Sequence, residues 1–148
     1  MSAFTVIQAA IVDAIEAVPA LSGVLVEANR TEPVGREWSR AVLVRLESSS
    51  DLGTGVLGAQ DLSTVYVIEC LARTDSGSDP VAQADDLLSA VWAAVRALRL
   101  STDDVMDLDA SPQIDWDYQS GSTPVISASF RLSVSHRVKD ESLEPWSA

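Results

Sequence analysis

The chain has 148 residues, 47% hydrophobic and 22% charged, with a formal net charge of −12. That length fits one domain able to bury about two thirds of its unfolded surface without staples, and the composition is not that of a disordered chain. A single cysteine, Cys70, excludes an intramolecular disulfide and points to a reducing compartment, the cytoplasm; the excess of acid works against a grip on nucleic-acid phosphates.

The N-terminal stretch MSAFTVIQAAIVDAIEAV lacks a basic leader, and Asp13 and Glu16 interrupt its apolar run, so it reads as neither signal nor transit peptide. Phe4, Ile7, Ile11, Ile15 and Val18 recur at helical spacing, with Ser2 positioned as cap and Pro19 as terminator. SGVLVEANR (22–30) reads as a short strand. It is followed by a loop carrying Pro33 and Gly35, with Trp38 at its edge. RAVLVRLE (40–47) places Val42, Val44 and Leu46 on one face of a second strand and Leu43, Arg45 and Glu47 on the other.

Ser48 to Ser63 contains three glycines and many serines, and predicts a long flexible connection between strands. TVYVIECLAR (64–73) carries apolar residues on both faces and predicts a central strand. A second helix follows: Asp79 caps it, Pro80 takes the first position, Asp85 and Asp86 come early, and Arg96 and Arg99 late. Its stripe is Val81, Ala84, Leu88, Val91, Val95 and Leu98, widened by Leu87 and Trp92. Its apolar run at 87–95 is about half of the ~20 residues a membrane span needs.

Residues 101–123 are acidic and turn-rich, with one edge strand expected around Ile114 to Tyr118. Thr123 to Val138 alternates cleanly. Ile126, Ala128, Phe130, Leu132, Val134 and Val138 fall on one face; Ser127, Ser129, Arg131, Ser133, Ser135 and Arg137 fall on the other. The expected fold is a single α+β domain over 1–138, a mainly antiparallel or mixed β-sheet with two α-helices packed on one face, followed by a polar C-terminal tail, 139–148.

No enzyme signature emerges. The aspartates 103, 104, 107, 109, 115 and 117 lack calcium-loop spacing, since Pro112 stands where glycine is needed and Tyr118 where a bidentate glutamate is needed. His136, the lone histidine, lies on the apolar face of its strand and reads as structural. Cys70 has no basic neighbour in sequence to activate it. The letters GTGVLG follow a serine-rich loop instead of a strand, so no phosphate loop is read there. Neither a cofactor nor a metal is expected. Trp92 reads as core, whereas Trp38, Trp116 and Trp146, in loops or the tail, suit interfaces.

The element order carries a resemblance. An amphipathic helix, two strands and a Gly/Ser loop precede VYVIECLAR, which runs through TDSGSDP into VAQADDLLSAVWAAVRAL; the chain then closes on SASFRLSVSHRV. Over roughly residues 3–138 this resembles the tail terminator, or tail completion, proteins of long-tailed bacteriophages, the family of the lambda minor tail protein U. The resemblance implies a non-enzymatic virion protein, located at the head-proximal end of the tail and in the host cytoplasm during assembly. It would form a six-membered ring on the finished tail tube, end polymerisation there and present the surface to which the head attaches. The implied partners are further copies of the chain, the tail tube protein and head-tail connector proteins, with DNA traversing the acidic ring without specific binding and no membrane contact.

A ring requires two different complementary patches per subunit. The residues assigned to subunit or tube interfaces are Trp38, Arg45, Asp51, Leu57, Trp116, Tyr118, Arg131, Arg137 and Trp146. Arg131 and Arg137, on the Ser/Arg face, are expected to meet acidic partners. Three rivals stand beside this reading. One is a connector or neck protein of the same virion. Another is a small ligand-binding or enzymatic α+β domain using Asp75, His136 and the acidic loop. The last is an acidic mimic of nucleic acid.

Overall fold

A computed structural model describes residues 1–74, 79–98, 104–121 and 123–147. Asp75, Arg99 and Asp103, singled out above, lie outside the described residues. The order is α1 (Ala3–Glu16), a 3-10 turn (Pro19–Leu21), β1 (Leu25–Ala28), β2 (Arg40–Asp51), β3 (Ala59–Arg73), α2 (Pro80–Ala97), β4 (Val105–Ala110), β5 (Asp115–Gln119) and β6 (Val125–Lys139). The strands form one open mixed sheet in the order β1-β2-β3-β6-β4, with β5 also on β6. Only β1–β2 is parallel. This is the single α+β domain with a two-helix layer that the residue pattern predicts. Among the described residues no helix is long and apolar enough to cross a membrane.

The spine is the antiparallel pair β3–β6, in register from Arg73↔Val125 to Ala59↔Lys139. Both strands alternate, so every second residue faces the helices. Tyr66, Ile68 and Cys70 of β3 join Ala128, Phe130, Leu132 and Val134 of β6 in one core with Ile7, Ile11 and Ile15 of α1 and Leu87, Val91 and Val95 of α2. Trp92 packs edge-on against Phe130, ring centroids 5.0 Å apart. Asp79 caps α2 as expected, its carboxylate accepting from Val81 N at 3.0 Å. Ser2 holds the N-cap position of α1, but its hydroxyl bonds no backbone N–H; Thr5 Oγ1 donates to the Ser2 carbonyl instead.

Two expectations are corrected. The long connection Ser48–Ser63 is mostly strand: β2 runs on to Asp51 and β3 begins at Ala59, leaving only residues 52–58 between them. A bulge between Leu46 and Ser48 resets the register, after which serines pair across the hairpin, with Ser49 Oγ and Thr64 Oγ1 at 2.8 Å. Small hydroxyl side chains fit a cross-strand ladder as well as they fit a loop, so composition misleads here. The acidic segment likewise holds two strands, not one. β4 pairs with residues 132–136 of β6 and β5 with 125–129, so they are two halves of one edge interrupted at Pro112.

A buried polar clasp ties α1 to the parallel edge. Gln8 is 3% exposed; its Nε2 donates to Val44 O at 3.1 Å and to Asn29 Oδ1 at 2.9 Å, and Asn29 Nδ2 returns a bond to Gln8 Oε1 at 2.8 Å. Asn29 adopts φ 51°, a left-handed turn that asparagine tolerates.

Residues 140–147 fold back over the end of β6. Val138 bridges Pro145, Ala3 N donates to Leu143 O at 2.9 Å, and Asp104 accepts from both the N–H and the hydroxyl of Ser147.

Candidate assembly surface

The helices cover one face of the sheet; the second face carries the side chains that sequence reasoning singled out. Opposed residues share a face, so Arg45, Val67 and Arg131 are aligned across β2, β3 and β6, and Asp115 of β5 lies opposite Ser129, two residues from Arg131. Arg131 forms a two-pronged ion pair with Glu47, Nε–Oε2 2.8 Å and Nη2–Oε1 2.9 Å, and lies 3.6 Å from Asp115. The guanidinium holds the Glu47 carboxyl below its usual range and is itself pushed up by it. Arg137 grips Asp61 in the same way, at 2.6 and 2.9 Å, and Thr54 Oγ1 donates to the same carboxylate at 2.9 Å. Asp61 is 1% exposed, and the Arg137 hydrogen bonds keep its pKa lowered despite burial.

The acidic partners expected for Arg131 and Arg137 are therefore supplied by this chain itself. Spacing along one strand could not reveal this, because Glu47 lies 84 residues from Arg131 and Asp61 lies 76 from Arg137.

The other assigned residues separate into three places. Asp51 and Leu57 of the β2–β3 hairpin and Trp146 of the folded-back segment come to one end of the sheet, where Asp140 N donates to Gly58 O at 3.1 Å. Trp116 and Tyr118 are exposed on the outer edge strand β5. Trp38 is half-buried just before β2, in a loop held by Arg73 at the end of β3, whose guanidinium donates to Gly35 O at 2.9 Å and Val34 O at 3.3 Å. Sequence reasoning missed Leu52, Val56 and Leu143, all exposed at the hairpin end. The signal that could have found them is isolated large apolar residues inside polar stretches.

Of the enzymatic rival's candidates His136 lies in the core, as does Cys70. Cys70 is fully buried, and burial, helped by Glu69, pushes its thiol up to about 12. His136 is fully buried, bonded through Nε2 to Thr64 Oγ1 at 2.7 Å and met edge-on by Phe4 at 5.8 Å. A cavity of about 80 Å³ touches His136 and Asp104. That volume suits water and is well below the several hundred Å³ of a substrate pocket. Among the described residues no group of three or more His, Cys, Asp or Glu is placed to hold a metal ion.

Burial lowers the His136 pKa, outweighing the opposing pull of Asp104. The unfolded chain thus binds a proton near pH 6.5 that the folded chain refuses, so stability is complete above that value and declines as pH falls below it. His136 being the only histidine, this decline between pH 7 and 5 should be largely abolished in His136→Leu. Chemical denaturation at half-unit pH steps measures it, and an unchanged slope would refute the assignment.

These features define the class: an open mixed sheet, shielded by helices on one face only, with exposed apolar and charged groups on the remaining surface. No family model matches the chain, and no curated protein matches it. Among solved structures the fold is shared with a chain of the virion of a native gene transfer agent (GTA) particle. The match has 19% identity and a TM-score of 0.54, and covers 86% of this chain and 93% of that chain.

Proposed function

We propose that this protein is a structural component of a phage-like virion. In this reading it assembles as a six-membered ring on the head-proximal end of the tail tube, stops tube growth and offers the surface on which head-tail connector proteins settle. The observation that carries the reading is the fold shared, over most of both chains, with a chain of a virion particle. The element order that resembles tail terminators agrees with it. An open sheet face and two strand edges supply the distinct patches that a head-to-tail ring requires. The net charge of −12 lets DNA pass the ring without being held.

The interface residues in this proposal are Arg45, Arg131 and Arg137 on the open face, Trp116 and Tyr118 on the outer edge, Trp38 in the loop before β2, and Asp51, Leu57 and Trp146 at the hairpin end. Arg131→Glu places a third carboxylate beside Glu47 and Asp115. Because this cluster is exposed, the monomer should melt nearly as the parent does, while ring formation is lost. Negative-stain imaging of the purified protein with and without tail tubes tests the reading. Rings on tube ends are expected for the parent and absent for the variant. Parent protein that leaves tube ends bare, or that localises to the connector instead, would refute the terminator role.

A further inference from the structure

We infer that the hairpin end of the subunit docks a protein surface with an apolar centre and a lysine- or arginine-rich rim. On the ring reading above, on which this rests, that surface is the end of the tail tube. Leu57 is fully exposed, and Leu52, Val56, Leu143 and Trp146 are exposed beside it at the same end of the sheet. Large apolar side chains on a monomer are ordinarily scattered; five gathered at one end, with polar groups around them, mark a contact surface.

The backbone beneath them is already fixed. Leu52 N donates to Asp61 O and Ala59 N to Val56 O, both at 2.9 Å, and Trp146 N reaches Arg137 O at 3.4 Å. Gly53 at φ 73° and Gly58 at φ 81° hold the left-handed turns at the two ends of the connection, which other residues adopt only with strain. Docking on such a preformed end requires little ordering of the chain.

Charge selects the partner. Asp51, Asp140 and Glu141 are exposed around the apolar group, and Glu144 adds a fourth carboxylate. The two cations nearby are engaged: Lys139 lies 3.4 Å from Glu144, and Arg137 is held by Asp61. A groove of about 390 Å³ between Gly58 and Trp146 is lined by Lys139, Asp140 and Glu141. A second copy meeting this end with its own would set carboxylates against carboxylates, so the rim favours a different protein with complementary basic groups.

The test is cosedimentation of parent, Leu57→Asp and the double variant Asp140→Lys/Glu141→Lys with purified tail tubes at low and high salt. All three positions are exposed, so unchanged melting curves confirm that the variants are folded. Parent binding should weaken at high salt, and each variant should lose roughly tenfold or more in affinity. Parent and variants binding tubes equally would overturn this docking surface while leaving the ring reading intact. Failure of the parent to bind tubes under any condition would overturn both. Self-association of the parent that Leu57→Asp abolishes would make a second copy the occupant, and would overturn the inference.

Discussion

Phe130→Ala should destabilise the fold by about 3–5 kcal/mol, which for a domain of this length lowers the melting temperature by roughly 10–20 °C. Phe130 is 1% exposed at the middle of β6, and its ring meets Trp92 edge-on. Removing it takes away the transfer free energy of a buried aromatic and leaves a cavity between two rigid elements, the capped helix α2 and β6, which at Phe130 is paired with Ile68 of β3. Neither can collapse without breaking ladder or helix hydrogen bonds, so the upper half of the range is expected. Phe130→Leu should recover most of the loss. Thermal melts followed by circular dichroism measure both; an alanine variant within 1 kcal/mol of the parent would mean that the helix layer does not pack as described.

Arg137→Ala should lower the melting temperature by several degrees at neutral pH and reverse the sign of one contribution to the pH dependence. In the parent, Asp61 titrates below its unfolded value because Arg137 holds it ionised. Its contribution is therefore present above about pH 4 and lost as pH falls through the folded pKa. Truncating Arg137 removes the largest stabiliser of the ionised form and leaves Thr54 as the remaining side-chain hydrogen bond, with burial opposing ionisation. Burial then raises its pKa above the unfolded value, and protonation stabilises the variant relative to the parent as pH drops from neutral toward 4. Melting curves of the two proteins from pH 7 to 3 should converge on acidification. A gap that stays constant or widens would show that the pair carries no net stabilisation.

The same pair shows where reading the chain stops. Alternation in Thr123 to Val138 identifies β6 and its faces because period two is a local property of the backbone, and the stripe and cap of α2 follow from period 3.6 and from Asp79-Pro80 in the same way. Both faces of β3 carry apolar residues, which already marks it as the centre of the sheet. The serine-rich stretch at 48–63 misleads because a ladder of small hydroxyl residues is specified by what lies opposite, not by its own pattern. β4 was hidden because only its register against residues 132–136 distinguishes VMDLDA from an acidic loop.

Chain order and periodicity alone determined a single acidic α+β domain, its two helices and the buried face of its last strand, since each depends on neighbours within a few residues. Tertiary structure alone decided that Arg131 and Arg137 are answered by Glu47 and Asp61, that His136 is sealed beneath Phe4, and that Leu57 and Trp146 share one end. Each of these depends on groups many tens of residues apart, which only the assembly of β2, β3 and β6 and the packing of α1 on them bring together.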